Sequence, residues 1–236
     1  MDLEIIKQLR RELIDSADEK TLAVGQRFFK EQVKFYGVKT SLVSKIAKDY
    51  FSKIKGKSKP EIFKLCEELL KSDYNEEAWI AFEWSAKLYK SYELQDFKTF
   101  ESWLEKYVNN WAKCDTFCNH SIGLFIEKYP NYLEDLKKWA KSGNLWVRRG
   151  SAVSLILPAR KGMFLNEIFE IADILLLDQE DLVQKGYGWM LKEASRKHEK
   201  EVFEYILKNK KIMPRTALRY AIEKMPLELR RKAMAK

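Results

Sequence analysis

The chain has 236 residues, 46% of them hydrophobic, so it is long enough and apolar enough to bury a substantial core, which excludes a disordered chain. Its 44 Lys and Arg outnumber 35 Asp and Glu, and the net charge of +9 favours a polyanionic partner, most simply nucleic acid. No apolar run reaches the roughly 18–20 residues that a membrane span needs, and three cysteines without a disulfide framework favour a reducing cytoplasm.

Apolar residues recur at helical spacing along the chain, and no stretch shows sustained period-two alternation. The N-terminal sequence MDLEIIKQLRREL is interpreted as an amphipathic helix rather than a signal peptide. Glycines, prolines and short polar stretches separate the periodic segments, so the sequence predicts an all-α fold. The predicted helices are 3–17, 20–35, 41–54, 59–72, 75–91, 96–108, 111–127, 130–141, 145–158, 163–176, 180–197, 199–209 and 214–224.

The predicted helices also recur in pairs. Trp79, Trp111 and Trp146 occupy similar places in successive units and are spaced roughly 32–35 residues apart, a period typical of two-helix repeats. The spacing indicates an α-solenoid of HEAT-like (armadillo-like) repeats, whose inner helices would line a concave, basic groove. With no linker-like stretch, a single domain over residues 1–236 is expected.

Two neighbouring residues stand out on the predicted helix 111–127. Trp111 lies at the edge of its apolar stripe, and Asp115 lies just beyond that edge, one turn later. A carboxylate beside an indole suits a site that a cation visits; the alternative is a surface carboxylate favoured by the helix dipole. Cys114 and Cys118 fall inside the stripe, so no metal site is expected here.

An arginine pair stands out on the predicted helix 145–158. Arg149 falls inside the apolar stripe, and Arg148 lies to one side. A buried guanidinium needs a carboxylate, an aromatic face or a ligand. Arg149 is therefore either half of an ion pair between repeats or a clamp for phosphate, whose oxygens suit guanidinium geometry.

A second tryptophan stands out on the predicted helix 180–197. Trp189 points away from the apolar stripe, onto a face shared with Lys185, Lys192 and Arg196. It either packs against a neighbouring repeat or belongs to a groove where aromatic and basic groups hold nucleic acid.

At these positions the sequence resembles the DNA alkylation repair family, the AlkD-like alkylpurine DNA glycosylases built from HEAT-like repeats. The similarity covers nearly the whole chain and is strongest in WAKCD at 111–115, NLWVRRGSAV at 144–153 and VQKGYGWMLKEASR at 183–196. The resemblance implies that the cleft residues of the family fall on Trp111, Asp115, Arg149 and Trp189.

The family's aromatic contact in the second helix, often a tyrosine, corresponds to Phe28, and a basic residue of some members corresponds to Leu157. Cys114 stands where a small aliphatic residue is usual.

The resemblance implies base excision repair: a cytoplasmic, nucleoid-associated monomer that binds double-stranded DNA along its concave surface and needs no cofactor. It would hydrolyse the N-glycosidic bond of cationic N3- or N7-alkylated purines, with Asp115 as the catalytic residue. The residues expected to contact DNA are Trp111, Trp189, Arg149, Arg148, Phe28 and Lys185. Two alternatives stay open: a paralogue that binds branched or distorted DNA with little or no catalysis, and a peptide-binding solenoid.

Overall fold

The computed structural model describes residues 2–235, and within that range it is helical with no β-strand. The predicted all-α fold is confirmed. Short 3₁₀ turns lie at Tyr89–Ser91 and Pro130–Tyr132, and a π-helical turn lies at Cys118–Ile122. The α-helices are α1 (Asp2–Asp15), α2 (Glu19–Gln26), α3 (Thr40–Ile54), α4 (Lys59–Leu70), α5 (Asn75–Lys87), α6 (Asp96–Tyr107), α7 (Trp111–Phe117), α8 (Gly123–Lys128), α9 (Leu133–Trp139), α10 (Leu145–Val153), α11 (Ile156–Arg160), α12 (Leu165–Leu175), α13 (Asp181–Ala194), α14 (Glu199–Asn209), α15 (Arg215–Ala221) and α16 (Leu227–Met234).

The chain forms two compact units whose boundary lies between Ser121 and Ile122. In the first unit α5 is central, since it packs against α3, α4 and α7. Its buried Trp84 donates from Nε1 to the Ala47 carbonyl at 2.8 Å, and Phe82 stacks on Phe117 with ring centroids 4.4 Å apart. The first contact holds α3 against α5, and the second holds α7 against α5. The expectation of a single domain stays a prediction.

In the second unit α13 is central, and it packs against α10, α11, α12 and α15. Gly188 of α13 allows α15 to approach closely. A Cβ at Gly188 would lie 2.7 Å from the Ala217 oxygen and 2.8 Å from the Tyr220 Cβ, so α15 lies against the bare backbone there. Because α10 also packs against α13, the helices that carry Arg149 and Trp189 are in direct contact.

The predicted helix 20–35 is wrong beyond Gln26, where α2 ends and non-helical chain leads to α3. Backbone groups of this segment bond to other partners instead. The Val33 N–H donates to Gln26 Oε1 at 3.3 Å, and the Lys34 carbonyl accepts the Asn75 N–H at 2.9 Å. Just beyond it, the buried Glu76 carboxylate accepts the N–H groups of Tyr36, Gly37 and Val38 at 3.2, 2.9 and 3.2 Å.

Three further details differ from the predicted helices. The segment 111–127 is helical as predicted, but it contains a π-helical turn at Cys118–Ile122. The segment 145–158 divides into α10 and α11, and Pro158, which has no N–H, lies in the second piece. Helix α16 was not predicted; it follows Pro226, and four of its eight residues are charged.

Candidate functional site

Helix α7 begins at Trp111 because Asn110 caps it, with the Asn110 side-chain oxygen accepting the Lys113 N–H at 3.0 Å. Cys114 and Phe117 on the same helix are buried, whereas Trp111 and Asp115 are half-buried. Because residues four apart neighbour each other on a helix, the indole and the carboxylate share one partly open edge of α7.

The indole of Trp111 is held by the chain that follows α2. Its Nε1 donates to the Phe28 carbonyl at 3.3 Å, and the Phe29 ring stacks on it with centroids 5.1 Å apart and an interplanar angle of 15°. Phe29 also contacts Phe35 at 5.4 Å. The Phe28 side chain is 68% exposed, so Phe28 meets Trp111 through its backbone.

Phe29 was missed by sequence reasoning, which chose Phe28 as the aromatic contact. The pair of phenylalanines in QRFFKEQ was the available signal, but helical periodicity alone could not rank them. Choosing between Phe28 and Phe29 required knowing that the chain after Gln26 is not helical, and the sequence predicted a helix there.

The first turn of α7 is anchored by Lys113, which is 2% exposed. Its ammonium donates to the Asp73 carboxylate at 2.6 Å, to the Asp73 carbonyl at 3.1 Å and to Asn109 Oδ1 at 3.0 Å. Burial lowers the pKa of Lys113 despite the partner carboxylate. Partial burial raises the pKa of Asp73, but hydrogen bonds from Lys113 and Asn109 outweigh it, so the Asp73 pKa lies below its ordinary value.

In the second unit Arg149 projects from α10 onto α13. The side chain is only 4% exposed, and its Nη1 donates to the Leu182 carbonyl. A Cβ at Gly186 would lie 3.3 Å from the Arg149 Cγ, so the arginine stem crosses α13 where no side chain intervenes. Because Gly186 has no side chain, the Arg149 stem can pack directly on the backbone of α13.

Arg148 has a different environment. Its Nε donates to the Asp178 carboxylate at 2.6 Å, and its Nη1 donates to the carbonyls of Ser142 and Gly143 at 2.9 and 3.2 Å. These bonds tie the turn before α10 to the segment before α13. They favour a structural role for Arg148.

Trp189 is half-buried on α13 with Lys192 beside it. The Lys192 ammonium lies 5.9 Å from the Trp189 ring and 5.8 Å from the Tyr220 ring, and it pairs with Glu223 at 3.0 Å. Lys185 pairs with Asp181 at 2.6 Å. Trp189 therefore lies beside a cation, as its predicted face requires.

The structure thus brings Trp111 together with Phe28 and Phe29 in the first unit, and Arg149 with α13 in the second. The expectation that the acid, the two indoles and the guanidinium line one groove stays a prediction. Within residues 2–235 no helix combines the length and apolarity that crossing a membrane requires, and no three His, Cys, Asp or Glu side chains are grouped to hold a metal ion.

One family model and two solved structures are similar to this chain. The family described as DNA alkylation repair enzyme matches residues 9–225. Among solved structures, a predicted DNA alkylation repair enzyme from Enterococcus faecalis superposes with a TM-score of 0.80 at 15% identity, covering 90% of this chain and 98% of its own. The structure of smu.31 from Streptococcus mutans UA159 gives a TM-score of 0.58 at 22% identity, covering 81% and 97%. No curated protein matches the sequence significantly.

Proposed function

The chain belongs to the DNA alkylation repair enzyme family, and we propose that it is a DNA glycosylase that excises cationic N3- or N7-alkylated purines from duplex DNA. Family membership supports a role in the repair of alkylated DNA. The observation that carries the finer assignment is Asp115, a half-buried carboxylate on the same edge of α7 as an indole held from two sides.

The proposed chemistry requires little from the protein beyond a well-placed negative charge. Alkylation makes the purine cationic and therefore a good leaving group, so the bond between base and sugar breaks with little general-acid help. The deoxyribose then carries oxocarbenium character. Asp115 stabilises that charge and orients the attacking water, as a carboxylate does beside a sugar cation in glycosidases.

The aromatic residues support this step. Trp111, fixed by the Phe28 carbonyl and the Phe29 ring, packs against the sugar and attracts the cationic base through its π-face. Trp111 also excludes bulk water from the reacting bond. Trp189, beside Lys192 on the second unit, is proposed to pack against the DNA backbone.

The basic residues divide into two groups. Lys185, whose side chain is one-third exposed, is proposed to contact a DNA phosphate directly. Arg149 is only 4% exposed and donates to the Leu182 carbonyl, so it is proposed to support α13 from beneath rather than to contact a phosphate. Arg148 is proposed to act through the fold, because Asp178 and two backbone carbonyls take up its donors.

The test is release of free base. Purified protein is incubated with methylated duplex DNA, and 7-methylguanine is measured by chromatography. Asp115→Asn keeps the shape of the side chain and removes its charge, so base release should fall by about 10²–10³-fold. Asp49→Asn is the matched control: Asp49 is a partly exposed carboxylate in the same unit, in an i,i+4 pair with Lys45, and its loss should leave release unchanged.

A gel shift on a DNA junction is run beside this assay. If the wild-type protein releases no base but binds junctions in a salt-dependent way, the chain is a DNA-structure binder rather than a glycosylase. If Asp115→Asn releases base as fast as wild type, the catalytic assignment is wrong even though glycosylase activity is present.

A further inference from the structure

A surface groove at the C-terminal end of the second unit has an unusual composition. It encloses about 400 Å³ and lies between α15 and α16. Its lining, called the arginine groove below, consists of three basic and three apolar residues: Arg219, Arg230, Arg231, Ile222, Leu227 and Met234.

The three arginines are exposed, and none has a side-chain hydrogen bond or ion pair with another residue in the range 2–235. The segment 210–236 contains two acidic residues, and both already pair with a lysine. Glu223 pairs with Lys192 at 3.0 Å, and Glu228 pairs with Lys232 at 2.8 Å. The guanidinium groups are therefore available to an external anion.

The charge of this region is also concentrated. Residues 210–236 contain nine Lys and Arg and only two Glu, so this short segment holds seven of the nine net positive charges of the whole chain. The remainder of the protein is close to neutral. A partner attracted by net charge is thus drawn to this end of the sequence.

The groove also presents apolar surface that a purely ionic partner would not use. Leu227 is 60% exposed, and Ile222 and Met234 lie beside it. A phosphodiester backbone offers only the C–H groups of its sugars to this floor and no protruding apolar group to fill it. Carboxylates suit the forked donors of arginine, and an apolar side chain suits the floor.

From this combination we propose that the arginine groove binds an acidic peptide segment of a partner protein, with an apolar side chain of that segment anchored on Leu227. Its carboxylates pair with Arg219, Arg230 and Arg231. The volume of the groove is within the range of about 300–1,000 Å³ common for ligand pockets. The proposal is independent of the glycosylase chemistry assigned above.

The test uses a fluorescently labelled peptide of four aspartates followed by leucine and phenylalanine. Its anisotropy is followed on titration with the full-length protein. We expect saturable binding that weakens by at least about tenfold in the triple variant Arg219→Gln, Arg230→Gln, Arg231→Gln. Leu227→Ser, a change at an exposed position, should weaken binding as well.

Two controls isolate the groove from general charge. The triple variant Lys197→Gln, Lys200→Gln, Lys208→Gln removes the same charge from exposed positions of the same unit and should bind the peptide like wild type. A peptide ending in two serines should bind weakly, because it lacks the apolar anchor. Thermal unfolding checks that each variant is folded.

Several results would overturn the proposal. Equal affinity of wild type and the arginine variant is one, and equal affinity for the serine peptide is another, since binding would then be unspecific. If the arginine variant instead loses affinity for lesion-free duplex DNA while the peptide fails to saturate wild type, the groove is a DNA contact. Base release measured in parallel shows separately whether the glycosylase assignment stands.

Discussion

Phe29 makes the closest aromatic contact of Trp111, and its effect should be measurable. Phe29→Leu removes the stacked ring while keeping an apolar side chain, so the indole is held only by its bond to the Phe28 carbonyl. A stacked pair contributes about 0.5–1.5 kcal/mol, so excision efficiency (kcat/KM) should fall by up to about tenfold. Phe29→Tyr should restore it.

Phe28→Leu provides the comparison for this prediction. The Phe28 ring is exposed, so its loss should leave the environment of Trp111 unchanged. The change in tryptophan fluorescence from wild type to each variant reports that environment, because the other six tryptophans are common to all three proteins. A larger spectral change from Phe28→Leu than from Phe29→Leu would contradict the assignment.

Asp73 and Lys113 allow a prediction about pH. Asp73→Asn leaves the buried Lys113 ammonium without its carboxylate, at an expected cost of about 1–3 kcal/mol in unfolding free energy. The cost should lie at the lower end of this range, because the Asp73 side chain is 40% exposed and water screens its charge. Asp73 has a left-handed φ of 66°, which asparagine tolerates, so the variant adds little backbone strain.

The sign of the pH effect follows from the lowered pKa of Asp73. A depressed carboxylate pKa stabilises the fold above the ordinary value of 3.8, and this contribution is lost as the pH falls further. The difference between wild type and Asp73→Asn in urea unfolding should therefore be largest near neutral pH and should shrink below about pH 4. A difference that is constant across this range would mean that the ion pair is not its source.

At the scale of helices, the contact between α13 and α15 depends on Gly188. Gly188→Ala would place a methyl group 2.7 Å from the Ala217 carbonyl oxygen, so α15 must move. Overpacking of this kind costs about 1–3 kcal/mol, which outweighs the gain in helix propensity. The midpoint of urea unfolding should fall.

Gly25→Ala in α2 is the comparison for this variant. Nothing lies within 4 Å of a Cβ at Gly25, so this change should raise the free energy of unfolding by up to about 1 kcal/mol.

The helices that the sequence predicted well are those whose own apolar pattern decides their packing. α3, α4, α6 and α14 begin and end within two residues of prediction. The segment after α2 could not be predicted, because its backbone groups bond to Asn75 and Glu76, some forty residues away in sequence.

The same reasoning applies to the candidate site. Helical spacing placed Trp111 and Asp115 side by side, since that depends on α7 alone. The two contacts that hold Trp111 come from Phe28 and Phe29, more than eighty residues earlier, and no local pattern specifies them. Local geometry was therefore predictable, and the supporting contacts were not.

At the scale of the whole molecule, net charge does not point to the residues proposed to contact DNA, because most of it resides in residues 210–236. The residues proposed to contact DNA belong to the nearly neutral remainder, where individual cations rather than net charge would meet phosphates. Binding should nevertheless depend on salt, because each neutralised phosphate releases counterions whatever the net charge of the protein.

This argument gives a quantitative expectation. If Lys185 neutralises one phosphate, a fourfold rise in salt from 50 to 200 mM should weaken binding of lesion-free duplex by about 3–4-fold through this contact. Asp115→Asn should show the same slope of affinity against salt as wild type, because its carboxylate acts in catalysis and not on phosphate. Lys185→Gln should flatten the slope. An unchanged slope in Lys185→Gln would place the phosphate contact elsewhere on the chain.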